Sequence, residues 1–270
     1  MLKPNDKALT GEAFQMNIAE ELSIQLYSLR DYGDLESQLA ALAKAGFRRV
    51  ELIGSHLDDA KSTRARLDAH GMSAPTGHAP LGALRDRLDW VAEQANTIGM
   101  QELYMPALPD AERALPADAW RRVGAELGQM AEKLKPHGLA LGYHNHDWEL
   151  KPFADGTTAL EQLFAGADGS PLTFEADLAW LVRGGADPVG WMRSQRARLT
   201  AVHVKDIAAP GTNLDQDGWA DIGAGTLDWP TLWREAAALG AKWMVLEHDK
   251  PKDPIGFAKA SRAYLLQQLA

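Results

Sequence analysis

The chain of 270 residues is 46% hydrophobic and 24% charged, which supplies ample apolar material for a large core and excludes disorder, collagen and coiled coil. Lys plus Arg number 28 against 37 Asp plus Glu, and the formal net charge of −9 repels a polyanion such as DNA. With no cysteine, disulfides, thiolate-bound zinc and thiol nucleophiles are excluded, so any metal must be held by His, Asp, Glu or Asn.

Residues 1–20 read as a polar N-terminal extension in which Lys3, Asn5, Asp6, Lys7 and Glu12 leave no apolar stretch for a signal peptide, so a cytoplasmic location is expected. No window approaches eighteen consecutive apolar residues, so no membrane partner is expected either. From there, strands are predicted near 22–28, 48–53, 73–78, 101–105, 139–145, 172–177, 199–205 and 243–248. Helices are predicted between them, near 34–45, 57–70, 83–98, 117–136, 157–166, 188–197, 228–239 and 254–268. Asp34 can cap the first helix, whose Leu35, Leu39 and Leu42 fall at i, i+4 and i+7. One punctuation recurs: a helix ends in Gly and an apolar stretch starts at once, at Gly46, Gly71, Gly99, Gly138 and Gly240.

Strict strand-then-helix alternation implies right-handed crossovers and a parallel sheet. Eight repeats in about 250 residues suit one closed α/β barrel, a (β/α)8 TIM barrel forming a single domain over 1–270. A doubly wound sheet is the rival, but Ser28-Leu29-Arg30-Asp31-Tyr32-Gly33 stands after strand one where a G-x-G-x-x-G would be needed. The stretch from Ala208 to Thr226, rich in Gly and Asp, reads as a lid over the rim or as a long surface connection.

In such a barrel the C-terminal strand ends converge on one rim. Strand five ends in His144-Asn145-His146-Asp147-Trp148-Glu149, and strand six runs Leu172-Thr173-Phe174-Glu175-Ala176-Asp177. Period-two alternation sends Thr173, Glu175 and Asp177 to one face, then Ala201, His203 and Lys205, then Val245, Glu247 and Asp249. The metal tetrad read from these ends is Glu149, Asp177, His203 and Glu247, a carboxylate and imidazole set that suits Mn2+, Co2+, Mg2+ or Zn2+. Such a dication polarises a carbonyl and fixes the adjacent hydroxyl. Glu149, Glu247, His144, His146 and Lys205 are the acid/base candidates, and Lys205 can also hold a substrate oxygen. Asn145, Trp180, His78 and Tyr27 are candidate substrate contacts, with Glu51 and Trp148 as further wall residues. His144-Asn145-His146 is not evidence for the nuclease motif of similar spelling, which spreads its residues over a longer unit.

These segments resemble the sugar phosphate isomerase/epimerase family of the xylose isomerase-like TIM-barrel superfamily. The resemblance is carried by Gly142-Tyr143-His144-Asn145-His146-Asp147-Trp148-Glu149-Leu150, Asp177-Leu178-Ala179-Trp180, His203-Val204-Lys205-Asp206, the run from Asp221 to Trp229, and Leu246-Glu247-His248-Asp249. It implies a divalent metal held by two Glu, one Asp and one His, and chemistry on ketoses, inososes or keto-sugars. Three ligands carry over onto Asp177, His203 and Glu247. The epimerase branch has its strand-five Glu where Gly142 stands here, so Glu149 is the available substitute, and Trp180 replaces a substrate-contacting His of that branch.

The expected activity is isomerisation or epimerisation of a ketose or keto-sugar by proton abstraction α to a carbonyl, through an enediolate. A lyase or dehydratase, inosose dehydratase-like or 3-keto-glycoside-cleaving, is the alternative. An abasic-site endonuclease would need three metals and a basic groove, against the net charge, and a non-catalytic barrel subunit is the remaining reading. The expected partners are a small-molecule sugar or keto-sugar and, at most, a second copy in a homodimer.

Overall fold

The computed structural model describes residues 18–269, so most of the extension read at 1–20 lies outside the described residues. Eight parallel strands form one sheet: β1 (Leu22–Ile24), β2 (Arg49–Leu52), β3 (Ser73–His78), β4 (Glu102–Met105), β5 (Ala140–His144), β6 (Thr173–Asp177), β7 (Leu199–Val204) and β8 (Trp243–Leu246). Each strand pairs with its sequence neighbour from β2 to β8, and β8 returns to β1. A parallel bridge between Gln25 and Glu51 joins β1 to β2, so the sheet closes into the expected barrel.

The helices on the outside are α1 (Leu35–Lys44), α2 (Ala60–Ala69), α3 (Leu88–Ile98), α4 (Ala117–Leu134), α5 (Ala159–Gly166), α6 (Pro188–Ser194), α7 (Trp229–Leu239) and α8 (Pro254–Leu269). Asp34 caps α1 as read, its Oδ1 accepting from the Ser37 amide at 2.9 Å. All five junction glycines have positive φ. Gly99 and Gly240, at φ 89 and 103, close α3 and α7 with amides bonded back into the last turn, a conformation that strains any residue with a Cβ.

Several boundaries differ from the sequence reading, three of them for visible reasons. Strand one ends four residues early, because the Gln25 side chain accepts from the Tyr27 amide at 3.2 Å and starts a tight turn over Leu26–Leu29. The helix read at 83–98 is two, Leu81–Asp86 and α3, broken at Arg87, whose guanidinium lies 3.9 Å from the Trp90 ring centre. A further short helix, Leu178–Arg183, follows β6 directly, capped by Asp177.

Alternation along the strands divides the interior in two. Outward residues join the helices in the main core, while Tyr104, Ala201, Trp243 and Val245 form a small apolar floor inside the barrel. Beside this floor Glu102 accepts from Thr173 Oγ1 at 2.6 Å and from Thr200 Oγ1 at 2.7 Å. Gly142 is fixed by the same packing, since a Cβ there would stand 2.6 Å from the Tyr104 ring and would also strike Thr173. No carboxylate can therefore occupy position 142 while Tyr104 fills the lumen. Gly142→Ala is expected to lose about 1–3 kcal/mol by overpacking, as measured by urea unfolding, and a variant as stable as the parent would show that Tyr104 yields.

The stretch after β7 is stapled to the barrel. Asp206 Oδ1 accepts from the Ile207 and Leu227 amides at 2.8 and 3.0 Å, and Oδ2 from the Gly223 amide at 3.1 Å. Asp206–Ile207 pairs antiparallel with Trp219–Ala220, and Trp219 is buried under the Arg183 guanidinium, 3.4 Å from its ring centre.

Candidate active site

The inward side chains at the C-terminal ends of β5 to β8 meet in one polar layer above the floor. His203, fully buried on β7, stands at its centre: Nδ1 lies 3.0 Å from Glu247 Oε2 and 3.9 Å from Asp177 Oδ2, and Nε2 lies 2.8 Å from Glu51 Oε1. Asp177, His203 and Glu247 each offer a ligand atom within 4.8 Å of the others. Asp177 Oδ1 is spent on the Trp180 amide at 2.9 Å, which leaves Oδ2 buried without a hydrogen-bond donor. Lys205 ends in the same place, its Nζ 2.5 Å from Asp249, 3.1 Å from Glu247 and 3.5 Å from Asp177, with the rings of Trp219 and Trp180 beside it.

A cavity of about 770 Å3 opens onto this layer. His78, His144, His146, Trp148, Trp180 and Tyr27 line it, together with Glu247. His146 stacks on Trp148 with ring centres 3.9 Å apart, and its Nδ1 has no hydrogen-bond partner. Arg30, not among the expected site residues, lies over the exposed Tyr27 ring at the mouth.

Two expected site residues are placed elsewhere. Asn145 is fully buried and spends its amide on the Asp177 backbone, donating to the carbonyl at 3.2 Å and accepting from the amide at 3.0 Å. It fixes the end of β6 and does not line the cavity. Glu149 does not join Asp177, His203 and Glu247: its Oε1 accepts from Tyr143 Oη at 2.6 Å and its Oε2 from the His146 amide at 2.8 Å. The short turn Trp148–Leu150 aims it back at its own strand. Glu175 and Glu51 are the carboxylates that sequence reasoning undervalued. The period-two signal that selected Asp177 also put Glu175 on its face, two residues earlier.

The family model of the xylose isomerase-like TIM barrel matches residues 39–268. The chain belongs to this family. Among curated relatives it is similar to an inosose dehydratase of Lacticaseibacillus casei, 21% identical over 68% of this chain and 66% of the relative, so it spans just under two thirds of that protein's length. It is also similar to the rhizopine catabolism protein MocC of Rhizobium meliloti, 20% identical over 87% and 82% of the two chains. In solved structures its fold is that of a sugar phosphate isomerase/epimerase of Parabacteroides distasonis, at 23% identity, 99% coverage of both chains and a TM-score of 0.75. The IolI protein, solved with a zinc atom, has the same fold at 13% identity, covering 92% and 98% of the chains with a TM-score of 0.71.

In this xylose isomerase-like barrel the buried charges set one another's protonation. Burial alone would raise the Glu51 carboxyl, but the hydrogen bonds and charges of His203 and His78 outweigh it and hold Glu51 below the ordinary carboxylate range. Burial would lower His78, yet Glu175 and Glu51 bring it up to about 9. Asp177 is pushed up to about 6, chiefly by burial, against the charges of Lys205 and His203. His146 is driven the other way, well below its ordinary value, by burial first and by the Lys205 charge second. The chemistry of this donor set fits a divalent cation, because Asp177 Oδ2 lacks a donor and carboxylate oxygen with imidazole matches the tastes of such ions.

Burial pushes the Glu149 carboxyl up to about 7, against the bonds from Tyr143 and the His146 amide that favour its charged form. A carboxyl raised above its unfolded value stabilises the fold at low pH and loses that contribution as pH rises to 7. Relative to the parent, Glu149→Gln is therefore expected to gain about 2–3 kcal/mol between pH 5 and pH 8 in urea unfolding. Its metal content should equal that of the parent, and loss of metal would return Glu149 to the donor set.

Proposed function

We propose that the protein is a divalent-metal-dependent enzyme that isomerises or epimerises a ketose or keto-sugar by moving a proton α to the carbonyl. The observation that carries this reading is one cavity that reaches a cation donor set through Glu247 and is lined by an uncharged imidazole, His146. Asp177, His203 Nδ1 and Glu247 would hold the metal, which supplies Lewis acidity to a carbonyl oxygen and its neighbouring hydroxyl. His146, neutral and lining the cavity, takes the proton from the α carbon and returns it to the adjacent one, while the hydroxyl proton passes to the former carbonyl oxygen. The Lys205 ammonium, kept charged by Asp249, Glu247 and Asp177 despite its burial, stabilises the oxyanion that develops. Trp148 and Trp180 offer flat apolar walls to the C–H face of a sugar ring.

A second reading is favoured by the similarity to proteins named inosose dehydratase. In it the same imidazole hands its proton to a departing β-hydroxyl, which leaves as water. The two are separated by incubating metal-loaded protein with ketoses and inososes in D2O and following the products by NMR. Deuterium uptake without elimination supports isomerisation, loss of the hydroxyl supports dehydration, and neither change in any such substrate would refute sugar chemistry at this site.

A further inference from the structure

We propose that the barrel contains a second cation position, one layer beneath the first, built from His78, His144, His203 and Glu175. These residues come from β3, β5, β7 and β6, and their ligand atoms all lie within 4.8 Å of one another. Glu175 Oε2 is the hub: it is 2.9 Å from His78 Nε2, 3.0 Å from His144 Nδ1 and 3.3 Å from His203 Nε2. A tetrahedral ion with bonds of about 2.0–2.2 Å places its donors roughly 3.3–3.5 Å apart, so Glu175 Oε2 need only move slightly away from the imidazoles, whose nitrogens already lie within 4.8 Å of one another, to receive one. Glu175 Oε1 and Glu51 Oε2 are buried in the same layer with no hydrogen-bond partner, which leaves negative charge there for a cation to balance.

The donor chemistry separates the two positions. Three imidazoles and one carboxylate in a closed tetrahedron suit Zn2+, whereas Asp177 and Glu247 with a single imidazole suit a harder ion such as Mn2+ or Mg2+. His203 is shared, but through opposite nitrogens: Nδ1 faces Glu247 and Nε2 faces Glu51 and Glu175. A neutral imidazole has one lone-pair nitrogen and one N–H, so it serves one ion at a time. With the outer ion bound, Nε2–H donates to Glu51, and with the inner ion bound, Nδ1–H donates to Glu247. Each state thus supplies the carboxylate that orients a metal-binding histidine. The two positions are alternatives, and the inner one stands independently of any sugar chemistry.

The test uses the full chain freed of metal by a chelator, with ZnCl2 titrated calorimetrically and Mn2+ followed by electron paramagnetic resonance. Zinc is expected to bind with a stoichiometry of one and to displace Mn2+. His78→Gln and His144→Gln should weaken zinc binding by about tenfold or more while Mn2+ binding stays as in the parent, and Asp177→Asn should do the reverse. Zinc binding that survives His78→Gln, or that falls with Asp177→Asn, would overturn the proposal, as would zinc and manganese bound together. Co2+ in the unaltered protein gives a readout that needs no variant. Intense visible bands of a tetrahedral centre are expected when Co2+ is added to the metal-free protein and should fade as excess Mg2+ fills the outer position, and only the weak bands of a six-coordinate ion throughout would overturn the inner site.

Discussion

His146→Gln is expected to lower kcat by about 10²–10⁴-fold while Mn2+ affinity stays unchanged. The substitution keeps a polar side chain of similar reach beside Trp148 but removes the imidazole that takes the proton in the proposed step. His146 donates nothing to the group formed by Asp177, His203 and Glu247, so the metal should be indifferent to it. Because burial and Lys205 hold this imidazole well below its ordinary value, it remains a competent base on the acid side of neutrality. The kcat/KM profile of the parent should therefore stay level as pH falls from 8 through 6.5, and a drop centred on an ordinary histidine value would remove His146 from the role. Equal losses of kcat and of Mn2+ binding in the variant would mean that it shapes the metal site instead.

Lys205→Met is the second large effect, and it is one of stability. The methionine fills most of the aliphatic stem's space against Trp219 and Trp180 but removes the ammonium that lies among Asp249, Glu247 and Asp177. Breaking a buried ion pair from one side costs about 3–5 kcal/mol, because the opposing charges stay behind unpaired. Those carboxyls then sit above their unfolded values, so the deficit should be smaller at pH 5, where they accept protons, than at pH 8. A bound dication supplies the same charge, and saturating Mn2+ should recover part of the loss. Urea unfolding at both pH values, with and without Mn2+, measures this. A variant as stable as the parent at pH 8 without metal would show that the ammonium is not what holds these carboxylates together.

The barrel was legible because its signals are local and repeated. Helix, Gly and strand recur at five junctions, and every one of those glycines adopts the left-handed backbone that this reading needs. Alternation in the strands also announced which side chains point inward, so Asp177, His203, Lys205 and Glu247 could be grouped before any coordinates. What sequence could not show is where a side chain turns once its strand has ended. Glu149 lies five residues past His144, and only the turn at Trp148–Leu150 decides that it meets Tyr143. Asn145 sits beside two candidate catalytic histidines, yet its amide matches the backbone of a strand 32 residues away. The vacancy at position 142 reads as a missing ligand until Tyr104, from the neighbouring strand, is seen to fill it. The break at Arg87 had no Gly or Pro to mark it, and a continuous apolar period hid it.

The stapling of the chain after β7 bears on how a substrate gets in and out. A carboxylate that gathers three amides is among the stronger small anchors in a protein, each such bond being worth about 1.5–3 kcal/mol, and opening the segment would forfeit those from Gly223 and Leu227 together. A hinge there would be slow and costly. On the function proposed above, a substrate would meet an entrance held in place on this side by the staple, and selection would rest on shape on arrival and not on closure of this segment.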